Sequence, residues 1–150
     1  MFSHSSIIQR LAFALFLSVL ASGCSMKGAS EFKRASREYF GCAMTPPWPL
    51  EATSHDSTST SFIRLDDVYS LPIYFRKRAD GFWPELSGVP ESNIVDVSHA
   101  PFEVKRVDAP LNDRSEEFDR EFVIIIERDS ALILPEGSGD YWQLLLNSCD

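Results

Sequence analysis

The chain has 150 residues, of which 14 are basic and 22 acidic, giving a formal net charge of -8. That balance argues against a nucleic-acid binder, because phosphate backbones are held by a surplus of Lys and Arg. With 44% hydrophobic and 24% charged residues the composition is that of a folded globular protein, which excludes collagen-like, disordered and multispanning membrane classes.

The first two dozen residues read as a targeting segment. A polar start carrying His4 and Arg10 leads into a largely apolar run from Leu11 to Ala21, followed by Ser22, Gly23 and Cys24. The run is shorter than the roughly 20 apolar residues a membrane-spanning helix needs and has the length of a signal-peptide core. Leu20-Ala21-Ser22-Gly23-Cys24 resembles the lipobox of bacterial lipoproteins, with Ala21 where Leu is commonest. The resemblance implies cleavage after Gly23 and a diacylglyceryl group on the Cys24 sulfur, with the new amine acylated as well. Membrane lipid would then be a partner through Cys24, since two or more acyl chains anchor stably where one does not. Ser25, rather than the Asp that some such lipoproteins carry there, implies an outer-membrane address facing the periplasm. The alternative is an ordinary signal peptide cut near Gly23.

Three cysteines in an exported chain leave one odd thiol. If Cys24 carries lipid, Cys42 and Cys149 remain as one candidate disulfide; two separate buried thiols are the other reading.

Behind the anchor, Ser30 to Phe40 places Phe32, Ala35, Tyr39 and Phe40 on a helical stripe, with Ser30 as cap and Gly41 as stop. Thr45-Pro46-Pro47-Trp48-Pro49 is a stiff extended segment. Glu51 to Ser61 contains no large apolar residue and reads as a solvated linker. The predicted organisation is therefore a signal peptide over 1–23, a lipidated anchor with helix and linker over 24–61, and a compact β domain over 62–150.

From Phe62 onward the pattern is one of short strands. Ser61 to Tyr69 and Leu71 to Arg78 are rich in branched and aromatic residues, and Asp80-Gly81 predicts a hairpin turn into Phe82-Trp83, with Pro84 marking an edge. Asn93 to Val97 and Phe102 to Val107 follow. Phe122-Val123-Ile124-Ile125-Ile126 is apolar at every position, as expected of a strand covered on both faces. Asp129-Ser130 turns it back into Ala131 to Leu134, and the 135–140 turn leads to Tyr141 to Leu146 as the third strand of a meander. The expected fold is mostly β, a small antiparallel sandwich or barrel with one short N-terminal helix.

Motifs for chemistry are sparse. His55 and His99 are the histidines behind the targeting segment, and Ser98-His99, adjacent on an extended chain, would face opposite ways, a poor arrangement for proton transfer. No Cys-x-x-Cys or His-x-x-x-His spacing is present, and the acidic run over 113–121 has Phe118 where an EF-hand loop needs Gly. Gly137-Ser138-Gly139 reads as a turn rather than a phosphate cradle. No cofactor or metal is expected, and no catalytic residue.

Charge is more informative. Between Cys24 and Arg78 eight basic residues stand against six acids, and from Ala79 to Asp150 five stand against sixteen. This predicts a basic end towards the membrane, with Lys27, Lys33, Arg34 and Arg37 near headgroups, and an acidic domain facing a partner. Arg76, Lys77, Arg78, Phe82 and Trp83 form one basic and aromatic cluster, and Glu116, Glu117 and Asp119 one acidic cluster; both are candidate binding residues. The expected function is a membrane-anchored, non-enzymatic module that binds an envelope protein, inhibiting or neutralising a basic envelope-attacking enzyme or toxin. A structural accessory of a secretion or envelope-assembly complex is the second reading, favoured by exposed aromatic surface at Phe82 and Trp83. An envelope hydrolase is the third.

Overall fold

The computed structural model describes residues 26–108 and 121–150. Cys24 and the acidic candidates Glu116, Glu117 and Asp119 lie outside the described residues.

Residues 26–40 form the helix α1. Phe32, Ala35, Ser36, Tyr39 and Phe40 are buried, recurring at the three- and four-residue steps that put them on one face. Gly41 ends the helix at φ 76°, and its N–H donates to the Arg37 carbonyl at 3.0 Å. This is the left-handed stop that glycine adopts without Cβ strain.

Seven strands follow: β1 (Leu50–His55), β2 (Ser59–Arg64), β3 (Ile73–Lys77), β4 (Ile94–Asp96), β5 (Glu103–Asp108), β6 (Glu121–Glu127) and β7 (Ser130–Pro135). They make a single antiparallel sheet in the order β1-β2-β3-β7-β6-β5-β4. The mostly antiparallel β fold with one short N-terminal helix is therefore present, but the sheet is not closed. It stays open because each face is covered by something other than a second sheet. On one face α1 and a second helix, α2 (Trp142–Asn147), enclose a core that includes Phe62, Phe75, Val104, Val123, Ile125, Leu132 and Leu134. On the other, the 78–93 segment crosses from β3 to β4 and packs Trp83, Leu86 and Val89 against Ile124, Ile126, Ala131 and Ile133. The continuous apolar run of β6 follows directly: its odd positions serve one core and its even positions the other.

Three expectations change. Glu51 to Ser61 is not a linker but the greater part of the β1–β2 hairpin. Its cross-strand contacts are hydroxyl pairs in place of apolar ones: Thr53 Oγ1 and Ser54 Oγ both reach Ser61 Oγ, at 2.8 and 2.6 Å, where a bulge interrupts the register. Residues 141–146 are not a strand. Trp142, Leu145 and Leu146 are the buried residues of α2, a spacing of three and four that fits helix better than alternation. Phe82-Trp83 pairs with no strand; Asp80-Gly81 does turn the chain, but into a 3-10 turn at Pro84–Leu86 that drops Trp83 into the second core.

Helix, hairpin and sheet thus pack together, so the predicted division at residue 62 falls inside one packed unit. The contact between α1 and the sheet is close at Gly28, where an added Cβ would overlap the Leu50 carbonyl. Cys42, just after α1, and Cys149, just after α2, stand as a disulfide pair with Cα atoms 5.2 Å apart. Beside them Ala43 N–H donates to the Asp150 carbonyl at 3.1 Å and Thr45 N–H to Ser148 Oγ at 2.8 Å, so the ends of both helices are clamped to each other.

Candidate functional site

The strand pairings Leu50–Arg64, Phe122–Pro135, Asp108–Glu121 and Ile94–Val107 bring one end of every strand to the same side of the sheet. Among the described residues seven acids belong to that end: Asp66, Asp67, Glu91, Asp108, Glu121, Glu136 and Asp140. Its two strand arginines, Arg64 and Arg106, each pair with one of those acids. Asp108 and Glu121 stand directly opposite each other across β5 and β6, a like-charge pairing that costs stability and that the fold tolerates here.

Four of the seven acids, Asp108, Glu121, Glu136 and Asp140, line an open groove of about 350 Å³. Its floor is the cross-strand row Val95, Arg106 and Val123, and its walls are Asp108, Glu121, Glu136 and the Gly139–Asp140 turn. Arg106 reaches Asp140 across it at 4.0 Å. Gly139 fits because a Cβ there would press on Val123 at 3.0 Å. A groove of this size matches a small-ligand cleft in volume, but its openness and acidic rim suit the Lys and Arg side chains of a protein better.

Next to the groove, Arg64 makes two hydrogen bonds to Asp66, at 3.0 and 2.8 Å, and lies 5.3 Å from the centre of the Trp48 ring. The Arg64 guanidinium holds the Asp66 carboxyl below the ordinary carboxylate range. Trp48, carried into the core by the predicted stiff Pro segment, meets Tyr141 edge-on at 5.4 Å. From this base the 65–72 loop projects, with Val68 84% and Tyr69 86% exposed. The sequence reading missed it by continuing β2 to Tyr69. The available signals were Asp66-Asp67, since Asp disfavours strand and favours turns, and indeed Asp67 accepts from Tyr69 N–H at 3.1 Å.

The predicted basic and aromatic cluster lies at the opposite end of the sheet, and the structure divides it. Arg76 is ion-paired with Glu85 and lies 5.9 Å from the Tyr74 ring centre. Trp83 is buried. Both serve to hold the 78–93 segment on the second face. Arg78 bonds Asp80 at 3.2 and 3.0 Å and covers the Phe82 ring at 5.5 Å, leaving Lys77 and Phe82 exposed. Arg76→Ala is expected to lower the unfolding free energy by about 2 kcal/mol, because it strands the mostly buried Glu85 carboxylate. Arg78→Ala, at an exposed pair, is expected to leave the urea midpoint unchanged. Equal effects of the two in urea melts would contradict this division.

His55 Nδ1 lies 2.7 Å from Thr60 Oγ1, which lies 3.4 Å from the Tyr39 hydroxyl; burial pushes that hydroxyl above its ordinary pKa. The neighbouring Asp56 accepts from Thr58 N–H, Ser59 N–H and the Thr58 hydroxyl, so its carboxylate is committed to the β1–β2 turn rather than to orienting His55. His99 stacks edge-on with Trp142 at 6.3 Å. Among the described residues no group of three or more His, Cys, Asp and Glu is placed to hold a metal ion, and no helix is long and apolar enough to cross a membrane. No family model, curated protein or solved structure matches this chain.

Proposed function

We propose that this protein is a lipid-anchored envelope lipoprotein whose folded domain is a non-enzymatic binding module for a basic protein partner. An envelope-attacking enzyme or toxin that it inhibits or neutralises is the partner class this chemistry fits. The observation that carries the binding reading is the concentration of seven acids among the described residues at one end of the sheet, four of them lining an open groove, with the two described strand arginines there already paired. Such a field steers a basic partner to fast association and rejects acidic ones. The anchor rests on the lipobox-like Leu20–Cys24 stretch and on the cysteine arithmetic, in which Cys42 and Cys149 pair and Cys24 is left for lipid. The accessory reading leaned on an aromatic surface at Phe82 and Trp83, of which Phe82 alone is exposed.

Crosslinking in the intact envelope, followed by identification of the partner and stopped-flow association, tests the proposal. A basic partner is expected, with an association rate that falls steeply as salt rises. The Asp108→Asn, Glu136→Gln, Asp140→Asn triple variant is expected to slow association about tenfold with little change in dissociation. An acidic partner, or binding indifferent to salt, would overturn the electrostatic reading. Palmitate incorporation that survives Cys24→Ala would overturn the anchor.

A further inference from the structure

We infer that the corner built by the first turn of α1 and the 65–72 loop lies against the bilayer, with Val68 and Tyr69 seated among the lipid headgroups and upper acyl chains. The inference rests on the acylated-Cys24 reading and deepens it, because it names the surface the domain turns towards the membrane.

The covalent distance is short. Ser25 alone separates Cys24 from Met26, where the described part of α1 begins, so the lipid-bearing Cα lies within about 7 Å of the Met26 Cα. That first turn is fixed to the sheet: Gly28 abuts the Leu50 carbonyl, and Leu50 pairs with Arg64. Leu65 N–H then donates to the Pro49 carbonyl at 2.9 Å, so the loop leaves the sheet beside the start of the helix. Whatever holds Cys24 at a membrane holds this loop there too.

The loop has the chemistry for that position. Val68 and Tyr69 are almost fully exposed, as is most of Met26, and Leu65 is partly so. Tyrosine prefers the headgroup level, where its ring is apolar and its hydroxyl wet. The two acids between Leu65 and Val68 are restrained: Asp66 is neutralised by Arg64, and Asp67 is turned back to accept from Tyr69 N–H. Lys27, well exposed on the same turn of α1 and 4.0 Å from Glu31, is free to exchange that loose pairing for an anionic headgroup. Once the acyl chains are inserted, the loop's encounter with lipid is intramolecular, so a small apolar surface suffices.

This placement corrects the orientation read from the chain halves. The acids and the start of α1 share one end of the sheet, so a basic end towards the membrane and an acidic end away from it is not how the fold distributes charge. The groove and the loop share the Glu136–Gly137 turn, and from that turn the groove runs away from the loop across β6 to β5, which is five strand spacings, about 24 Å, from β1.

The test uses the full acylated chain in vesicles of phosphatidylethanolamine and phosphatidylglycerol, with an environment-sensitive fluorophore on a cysteine introduced as Val68→Cys, Arg34→Cys or Ser87→Cys. Arg34 is on the outer side of α1 and Ser87 on the segment over the second face. The label at 68 is expected to shift to the blue and to be quenched by spin-labelled lipid at least threefold more than either control. Vesicle flotation with an unquenched label at 68, or stronger quenching at 34, overturns the docking while the anchor stands. Shielding at 68 in native envelopes but not in pure lipid overturns it in favour of a protein occupant. Failure of the wild-type chain to float overturns the anchor and, with it, the docking.

Discussion

The Cys42→Ser, Cys149→Ser double variant is expected to lose up to about 4.7 kcal/mol of unfolding free energy, the figure the chain-entropy model assigns to a loop of this length. The bridge spans 107 residues and so constrains nearly the whole of the described fold when it unfolds. It also joins the ends of the two helices that cover one face of the sheet, where the Ala43–Asp150 and Thr45–Ser148 hydrogen bonds are the remaining ties. The loss should appear in urea melts as a lower midpoint, and in hydrogen exchange as weaker protection of α2. Reduction of the wild-type protein should reproduce both changes. A shift under about 1 kcal/mol would mean that the clamp holds without its covalent member, against the entropic account.

Phe75→Ala is expected to cost about 4 kcal/mol, in the upper range for a buried aromatic cut back to a methyl. Phe75 is fully buried and is the ring that ties α1 to the sheet: it meets Phe32 at 4.9 Å, Tyr39 at 5.5 Å, Phe40 at 6.0 Å and Phe62 at 6.1 Å. Most of these contacts are edge-on or tilted, the arrangements that add to the area term. The cavity would open directly beneath α1, so a fluorescence or circular dichroism melt should show the helix and the sheet failing together. Phe82→Ala, on an exposed ring, is expected to leave the midpoint within about 0.5 kcal/mol. A Phe75→Ala midpoint as high as that of Phe82→Ala would show that α1 does not depend on this cluster.

How legible each element was depends on where its information sits. The apolar run of β6 announced a strand covered on both faces because burial on both sides removes the need for alternation. The α1 stripe and its Gly41 stop were legible for the same local reason: periodicity and a left-handed glycine are properties of adjacent residues. β1 was not legible, since its larger partners, Phe62, Ile63 and Arg64, lie beyond Glu51 to Ser61 and those within that stretch are the hydroxyl residues Thr60 and Ser61, so nothing in it taken alone distinguishes a hairpin from a linker. At 141–146 a short apolar run could be strand or helix, and what decided it was the burial of Trp142, Leu145 and Leu146 against the core beside Val123 and Leu134. The division of the basic and aromatic cluster was not legible because Glu85, which neutralises Arg76, lies across a turn that sequence spacing does not orient.

Composition, charge and local pattern determined the broad class on their own: a mostly β domain with one N-terminal helix, an excess of acid after Arg78, and Cys42 and Cys149 as a candidate pair. Those are sums and short-range periodicities, and they survive without knowledge of how the chain turns. The tertiary structure alone decided where the charge goes. Antiparallel pairing sends the ends of β5 and β7 and the start of β6 to one side of the sheet, so Asp108, Glu121, Glu136 and Asp140 meet around one groove. The same pairing sets the start of α1 at that side too, because Gly28 can approach the Leu50 carbonyl where a larger residue could not.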